Sequence, residues 1–517
     1  MSSRAHPVGG LLLGAAAGGL TLGASLLLRA ALGVPSLSES LGNGLALLLP
    51  GGAFGALIDA LQERGRPLLL LATSVLVVLV GAGLGRWLGG WSRRAVAPYP
   101  AAPARRRGHP LARWLAPAIG LWILTLPLIA VGEGSLTVPA TPAALFEWLL
   151  LTGLVELLLG LPQQGGSHGG RLLHVPGTWS RRSFLGWAGG VVGAVSLGYL
   201  GVQLLSAGAP PLPRLRLGPP GAGPGGAPAG DLTSTADFYV VSKELFGPPS
   251  VDASSWRLEV GGLNPYAIGY QQLLAEPHLT QVQTLECISN PIGGTLISTG
   301  VWRGVQLSRL LGRAGVPSGT VQVRFECADG YSESLPLDQA RAPTTLVVDQ
   351  LNGAKLTAQH GFPARLLVVD HYGMKNPKWL MSIQPSARPY LGYWEQQGWN
   401  AGAYPKIFSR FDFPSGNSSL RAGRTYLLAG VAYAGTRGIS RVELSVDGSR
   451  TWVRARLRAP TSAYTWTLWS HPWRPDPGLY TLRVRARDGH GTLQRPGSGQ
   501  TYPSGASGYQ QLTVLVR

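Results

Sequence analysis

The chain of 517 residues is long enough for two or three domains, each able to bury its own core. Basic residues exceed acidic ones by 44 to 25, but only 13% of residues are charged while 45% are hydrophobic, which excludes a disordered polyelectrolyte and disfavours an ordinary soluble protein. The two cysteines are too few for a disulfide scaffold or for a metal site of four thiolates.

The first 206 residues are apolar and sparsely charged, with 14 arginines, no lysine and six acidic residues. A bilayer core is crossed by about 20 apolar residues. Five runs approach that length, at 8–32, 68–88, 114–131, 143–161 and 184–206. Arginines concentrate between these runs, where the positive-inside rule explains them. We therefore predict an N-terminal α-helical transmembrane bundle of about five spans over residues 1–206, with the lipid bilayer as its partner.

The positive charge does not indicate a nucleic-acid partner. The densest basic run, Arg105-Arg106-Arg107, falls in a short loop between two predicted spans, where cytoplasmic topology is sufficient to explain it. A nucleic-acid groove requires basic residues interleaved with aromatic ones on one surface. We predict no nucleic-acid binding.

Arg181 and Arg182, within S-R-R-S-F-L, precede the last apolar run and resemble a twin-arginine export signal. The alternative is a pair of arginines that only fixes the topology of a span. An export signal implies that the following domain folds, and loads any cofactor, before it crosses. The expected localisation is the inner membrane, multi-pass, with the part of the chain after the last span periplasmic or extracellular. Residues 207–230, rich in Pro and Gly, are predicted to form a semi-rigid linker.

Two further domains follow the linker. Residues 231–405 mix short alternating runs with brief helical patterns, which predicts an α+β domain. From 406 to 517 the helical signal fades, and short strands alternate with turns such as Asp447-Gly448 and Asp488-Gly489. This spacing predicts an antiparallel, immunoglobulin-like β-sandwich.

One cysteine and one cluster of basic residues are the candidates for a functional site. Cys287 lies in T-L-E-C-I-S-N, and a lone cysteine in such an apolar context is more often a buried small hydrophobe than a ligand. Downstream, H-G-F-P-A-R at 360–365 and G-M-K-N-P-K-W at 373–379 bring His, Arg and two Lys together. These residues are suited to bind a phosphate-bearing anion, although a solvated basic loop explains them equally well.

The order and spacing of several motifs resemble the molybdenum-cofactor domain of the sulfite oxidase family. They are T-L-E-C-I-S-N, Y-S-E-S-L-P-L from Tyr331, L-N-G from Leu351, H-G-F-P-A-R from His360, and Lys378-Trp379. The resemblance extends from about residue 231 to the C-terminus, where the predicted sandwich is similar to the family's dimerisation domain. It implies an α+β domain that holds one molybdenum–molybdopterin cofactor, and a possible homodimer through the C-terminal domain.

The resemblance also implies residue roles. Cys287 is expected to be the only protein ligand to molybdenum, since a soft thiolate suits this metal. Tyr331 matches the active-site tyrosine of the family, whose hydroxyl can donate to substrate. The expected cofactor contacts are Tyr239, Val240, Val241, Ser242, Lys243, Asp329, His360, Arg365, Asn376, Pro377 and Lys378, with Arg365 and Lys378 neutralising phosphate. The implied reaction is oxygen-atom transfer with a small-molecule oxo donor or acceptor.

Two departures from the family pattern bear on the substrate. Val241 stands where sulfite oxidases carry a substrate-binding arginine, and Pro291-Ile292 replace the basic residues that follow the metal cysteine. A sulfite dianion would lose charge-assisted bonds worth about 1.5–3 kcal/mol each. Lys243 or Arg410 could compensate, although Arg410 could equally be a surface charge. The start of the domain, Phe238-Tyr239, also resembles the branch that reduces methionine sulfoxide.

Other functions stay open beside the leading one. No histidine or methionine lies where a transmembrane haem needs an axial ligand, so no haem is expected in this chain and a separate electron-transfer partner is. The alternatives are a sulfite dehydrogenase proper, or a non-catalytic exported binding or sensing protein with a degenerate cofactor domain.

Overall fold

The computed structural model describes residues 7–32, 41, 65–94, 117–121, 123, 125, 145, 147–152, 154–155, 230–243, 248–416, 418–497 and 499–517. They belong to two compact units, one formed by N-terminal helices and one that contains everything from residue 230 onward. The predicted twin-arginine pair, the apolar run 184–206 and residues 207–229 of the predicted linker lie outside the described residues.

The N-terminal unit is built on two long helices, α1 (Pro7–Leu32) and α2 (Gly65–Arg94). Glycines bring their backbones into contact: a Cβ on Gly14 would lie 2.0 Å from the carbonyl oxygen of Gly81. Around this contact a buried cluster forms from Leu13, Ala17, Leu41, Val77, Ala118, Trp148, Leu151 and Val155. The polar Ser25 and Glu147 are also buried, and the Ser25 hydroxyl donates to the Glu147 carboxylate over 2.8 Å.

The prediction of an N-terminal transmembrane bundle is wrong. Among the helices that the structure describes, none has both the length and the sustained apolar character that crossing a bilayer requires. The same finding contradicts the predicted localisation, which was a multi-pass protein of the inner membrane with a periplasmic or extracellular catalytic domain. Apolar residues that suggested spans pack helix against helix instead, and hydropathy alone does not separate a buried helix from a span.

The second unit begins with one mixed sheet and one antiparallel sheet. The first has the order β2-β1-β10-β5-β6, and the second has the order β3-β4-β7-β8 with β9 paired to β7. The strands are β1 (Arg257–Val260), β2 (Tyr266–Gly269), β3 (His278–Glu286), β4 (Ile297–Gln306), β5 (Gln322–Cys327), β6 (Ser332–Pro336), β7 (Leu346–Leu351), β8 (Ala354–Lys355), β9 (Arg365–Leu367) and β10 (Leu380–Ser386). Short helices connect them: α3 (Tyr270–Ala275), α4 (Leu307–Ala314), α5 (Leu337–Arg341), α6 (Tyr393–Gln396), and 3-10 turns at Ala358–His360 and Gly373–Lys375.

The C-terminal part consists of two sheets that face each other across a common core. Their orders are β11-β13-β17-β16 and β12-β19-β18-β14-β15. The strands are β11 (Phe408–Phe413), β12 (Ser419–Leu420), β13 (Tyr426–Tyr433), β14 (Ile439–Ser445), β15 (Val453–Arg454), β16 (Arg456–Leu457), β17 (Thr467–Trp473), β18 (Gly478–Asp488) and β19 (Gln510–Val516). Alternate residues of β13 and β18, such as Leu428 and Val484, meet in this core and are fully buried.

The β3–β4 hairpin joins the two parts of this unit. Its Ile297 packs in one buried cluster with Phe408, Val431 and Trp466 of the C-terminal sheets. Backbone bonds continue the contact, since the amide of Thr284 donates to the carbonyl of Tyr464 over 3.0 Å. The hairpin whose loop begins at Cys287 is therefore packed against the C-terminal sheets, which have a hydrophobic core of their own.

Two neighbouring leucines of β13 test this arrangement. Leu428 is fully buried while Leu427 is 53% exposed. We expect Leu428→Ala to lower the free energy of unfolding by about 2–5 kcal/mol, because a buried leucine leaves a cavity. Leu427→Ala, the matched control, should change it by less than about 0.5 kcal/mol. Equal effects in chemical denaturation of the two variants would contradict the assignment of the core face.

Candidate active site

Cys287 lies at the end of β3, at the start of a tight loop that returns to β4. The Cys287 amide donates to the carbonyl of Leu296 over 2.9 Å, and its carbonyl accepts from the Asn290 amide over 3.0 Å. Asn290 ties the loop together, because its side chain donates to Glu286 and accepts from the amide of Leu296. The Cys287 thiol is 8% exposed and lies 3.0 Å from the hydroxyl of Ser289.

The far side of this loop is held by Arg410 of β11. Arg410 is fully buried, and its Nε donates to the Asp412 carboxylate over 2.8 Å. One terminal nitrogen, Nη1, donates to the carbonyl of Gly294 over 2.8 Å. Arg410 is therefore not a surface charge, and its other terminal nitrogen, Nη2, has no hydrogen-bond partner among the described residues. Ile292 of the same loop contacts the backbone around Gly499 and Gly508, so that it too fills a structural position.

Tyr239 lies beside Cys287 and beside the basic cluster. Burial raises the pKa of Tyr239 well above its usual value, the Cys287 thiol adds to the rise and the Arg365 guanidinium opposes it. Its hydroxyl is so close to Gly373 that a Cβ there would come within 2.6 Å. Burial also raises the pKa of Glu286 to about 8, against the Asn290 hydrogen bond, so this carboxyl is neutral at neutral pH.

Arg365 is a buried cation that donates hydrogen bonds to carbonyl oxygens from two of its three nitrogens. Its two terminal nitrogens donate to the carbonyls of His360 and Asn376, over 3.3 and 2.8 Å. Its Nε has no hydrogen-bond partner within the described part of the chain. Burial lowers the pKa of Arg365 to about 10, so the group still carries its charge at neutral pH. A buried guanidinium in this state favours an anion beside it.

Lys378 and His360 complete the basic cluster in different ways. The Lys378 ammonium donates to the carbonyls of Val241 and Gln359, both over 3.1 Å. Gly361, with φ +105°, lets the chain turn between the Lys378 and Arg365 side chains, where a Cβ would come within 3.1 Å of both. Burial lowers the pKa of His360 to about 4, and its Nε2 lies 3.1 Å from the Thr235 carbonyl. His360 is therefore a neutral donor to that carbonyl, not a third cation.

The other expected cofactor contacts lie around this cluster. Asn376 ties the basic loop together, because its side chain accepts from the Val368 amide and donates to the Tyr372 carbonyl. The Pro377 carbonyl accepts from the amide of Leu366 over 2.9 Å. The segment from Val240 to Lys243, which includes Ser242, is half-exposed and passes Lys378 at Val241. Asp329 caps the turn before Tyr331 by accepting from its amide over 3.0 Å.

Tyr331 is buried and its hydroxyl faces a charge cluster that the sequence reading missed. The hydroxyl lies 2.8 Å from the carbonyl of Met374 and 3.2 Å from the Glu333 carboxylate. Glu333 in turn pairs with Lys375 over 2.8 Å, and Lys375 also pairs with Glu395. Lys375 was grouped with the phosphate-binding residues on sequence alone. The sequence did contain a sign of this cluster. Glu333 lies two residues after Tyr331, so the alternation of a strand places both side chains on the same side.

These residues fit a molybdopterin. The cluster offers one buried thiol and one buried cation, both of which interact electrostatically with Tyr239, and the cation has a donor with no partner among the described residues. A thiolate suits a soft metal, and fixed Arg and Lys donors suit a phosphate. In the described residues no group of three or more His, Cys, Asp or Glu side chains is arranged to hold a metal ion. A metal brought by a cofactor, with one protein ligand, agrees with that donor set.

Two family models match the second unit. The oxidoreductase molybdopterin binding domain matches residues 246–394, and the Mo-co oxidoreductase dimerisation domain matches residues 413–494. The first match contains Cys287, Tyr331, Arg365 and Lys378. The boundary between the two matches agrees with the change from the first two sheets to the two facing sheets.

Known proteins are similar over the same region. The uncharacterized oxidoreductase YuiH of Bacillus subtilis is 31% identical over 162 residues, which are 31% of this chain and 80% of YuiH. The sulfite oxidase of Gallus gallus is 29% identical over 291 residues, 45% of this chain and 63% of that enzyme. The sulfane dehydrogenase SoxCD of Paracoccus pantotrophus shares the fold, with a TM-score of 0.50, 22% identity, and coverage of 56% of this chain and 82% of that one.

The chain spans less than two thirds of the chicken enzyme but four fifths of YuiH. Together with the two matched domains, this similarity identifies an enzyme that uses a molybdenum–molybdopterin cofactor. The chain belongs to the sulfite oxidase family of molybdopterin-dependent oxidoreductases.

Proposed function

We propose that this oxidoreductase transfers an oxygen atom between molybdenum, held by the Cys287 thiolate, and a small neutral or weakly charged substrate. The observation that carries the proposal is the buried thiol of Cys287, which, like the incompletely bonded Arg365 guanidinium, interacts electrostatically with Tyr239. When bound, the molybdenum cofactor supplies oxygen-atom exchange and a two-electron change of oxidation state. The protein residues bind, orient and polarise.

Each residue has a separate task in this proposal. Cys287 ligates the metal, and its loop is kept in place by Asn290 and Arg410. Arg365 and Lys378 bind the phosphate end of the pterin. Tyr331 donates its hydroxyl proton to an oxygen of the substrate or of the metal centre. Water is kept from the thiol by burial, since Cys287 is only 8% exposed.

The charge around the cysteine loop supports a substrate other than a dianion. Val241 supplies no charge where the family's arginine would stand, and Ile292 packs against glycine backbone. Arg410 is fully buried and already bonded to Asp412 and Gly294. Lys243 places its ammonium 5.5 Å from the ring of Tyr393, and the Tyr393 ring is tilted against the Tyr331 ring at 5.8 Å. A sulfoxide or a similar neutral oxo compound suits this environment better than sulfite.

The second candidate is sulfite, with Lys243 as its cation. We expect Lys243→Met to raise the KM for sulfite about 10–150-fold, because one charge-assisted bond is worth about 1.5–3 kcal/mol, and to leave the KM for a neutral sulfoxide unchanged. Steady-state kinetics with sulfite, a sulfoxide and nitrate on enzyme of measured molybdenum content decide between them. Turnover of sulfite at a KM well below that of every neutral compound would contradict the leading proposal.

The ligand role of Cys287 is tested by X-ray absorption at the molybdenum edge. Cys287→Ser should remove one sulfur from the metal coordination and abolish turnover, because a neutral hydroxyl is a poor ligand for a soft metal. Cys327→Ser is the matched control: Cys327 is also buried, and burial raises the pKa of its thiol well above the usual value, so it stays a thiol. An unchanged sulfur count in Cys287→Ser would refute the assignment.

The phosphate role of Arg365 is tested by cofactor retention. We expect Arg365→Gln to lose cofactor about 10–150-fold more readily on dialysis, since one charge-assisted bond is worth about 1.5–3 kcal/mol. Arg388→Gln, in an exposed arginine of the same domain, should retain cofactor as the wild type does. Molybdenum and pterin are both measured per chain. Equal retention in the two variants would place the phosphate elsewhere.

Two partners follow from this chemistry. The two electrons of the cycle need a donor or an acceptor, and we propose a separate electron-transfer partner for this role. A homodimer through residues 413–494 is supported by the match to a dimerisation domain. Sedimentation at several protein concentrations measures the association directly.

A further inference from the structure

Behind Tyr331 lies a buried cluster with more acidic than basic groups. Glu333 is fully buried, and Lys375 and Glu395 are 4% and 6% exposed. The Lys375 ammonium donates to Glu333 over 2.8 Å, to the Ser334 carbonyl over 3.2 Å, and to Glu395. Two carboxylates against one ammonium leave a net negative charge in the interior, which is costly. One bound proton removes that charge.

The hydrogen bonds of Tyr331 indicate where this proton resides. The Tyr331 hydroxyl has a single proton but two oxygen neighbours, the Met374 carbonyl at 2.8 Å and the Glu333 carboxylate at 3.2 Å. The carbonyl can only accept, so the tyrosine proton is used in the shorter contact. While the tyrosine proton is donated to the carbonyl, the longer contact becomes a hydrogen bond when Glu333 carries a proton and donates it to the tyrosine oxygen. When Glu333 is ionised, the two acceptors compete for the tyrosine proton.

We propose that Glu333 is a positioning residue whose carboxyl proton sets the direction in which the Tyr331 hydroxyl donates, and which replaces that proton when Tyr331 gives it up. The inference rests on the proposed function, in which Tyr331 serves the substrate. As the tyrosine proton moves to a substrate oxygen, the Glu333 proton moves to the tyrosine oxygen. Glu333 becomes a carboxylate paired with Lys375, and no electrons move in this step.

The surroundings of Glu333 set its titration close to neutral pH. Burial raises the pKa of Glu333 to about 7, Lys375 opposes the rise and Glu395 adds to it. Two of the groups that face it are Lys375 from the 3-10 turn and Glu395 from α6. The others are Tyr331, just before β6, and Cys327, at the end of β5. Gly392 lies directly on the carboxylate, where a Cβ would come within 2.5 Å of Oε1.

The proton on Glu333 is tested without turnover by pH-difference infrared spectroscopy of the full, cofactor-loaded chain. We expect a carboxylic-acid C=O band that disappears with a midpoint near pH 7 and is absent from Glu333→Gln. Glu395→Gln is the matched control, since it pairs with the same lysine but does not contact Tyr331. It should keep the band and move its midpoint to lower pH, because a neighbouring negative charge is removed.

Coupling to the tyrosine is tested by Tyr331→Phe. This variant should keep the band at a changed frequency, because the carboxyl proton has lost its acceptor. The pH profile of kcat should show a transition near pH 7 in the wild type, the same transition at lower pH in Glu395→Gln, and none in Glu333→Gln. Molybdenum content is measured for every variant.

The outcomes separate this inference from the proposed function. A spectrum with no titrating band that Glu333→Gln removes, or an identical band in Tyr331→Phe, overturns the inference whatever the activity. Turnover of every substrate by Tyr331→Phe at the wild-type rate overturns the role of Tyr331 in the proposed function, although the infrared band would still report on Glu333.

Discussion

The position of the Cys287 thiol depends on a loop that is fixed from two sides. Asn290 closes the loop from within, and Arg410 of the C-terminal sheets holds the carbonyl of Gly294 from behind. Arg410 is fully buried and neutralised by Asp412, so this contact cannot relax into solvent. A metal ligand must be held within a fraction of an ångström of its working position. The second core therefore serves the site as a support, apart from any role in association.

The site combines this rigidity with charges that are incompletely satisfied. Arg365 uses carbonyls as acceptors and keeps one nitrogen without a partner in the described part of the chain. Behind Tyr331, Glu333 and Glu395 share one lysine. The first group favours an incoming anion and the second favours a bound proton. A cofactor with a phosphate at one end and a proton-coupled metal at the other makes use of both.

The sequence predicted the chemistry better than the architecture. The motifs around Cys287, Arg365 and Lys378 have fixed spacing because they bind one cofactor. Hydropathy failed at the N-terminus, where glycine-mediated packing of α1 on α2 has the same apolar signature as a span. The sequence also did not show which charged side chains are buried. Arg410 and Lys375 were both candidates for binding an anion, and each donates hydrogen bonds inside the fold.

The proposed function requires one cofactor that connects the Cys287 sulfur to the Arg365 guanidinium. Anomalous X-ray diffraction of crystals of the loaded protein, collected on both sides of the molybdenum edge, locates that cofactor. We expect a single strong peak per chain at bonding distance from the Cys287 sulfur, with pterin density that ends in a phosphate beside Arg365. A peak that lies away from Cys287, or pterin density that leads away from Arg365, would contradict the proposed function.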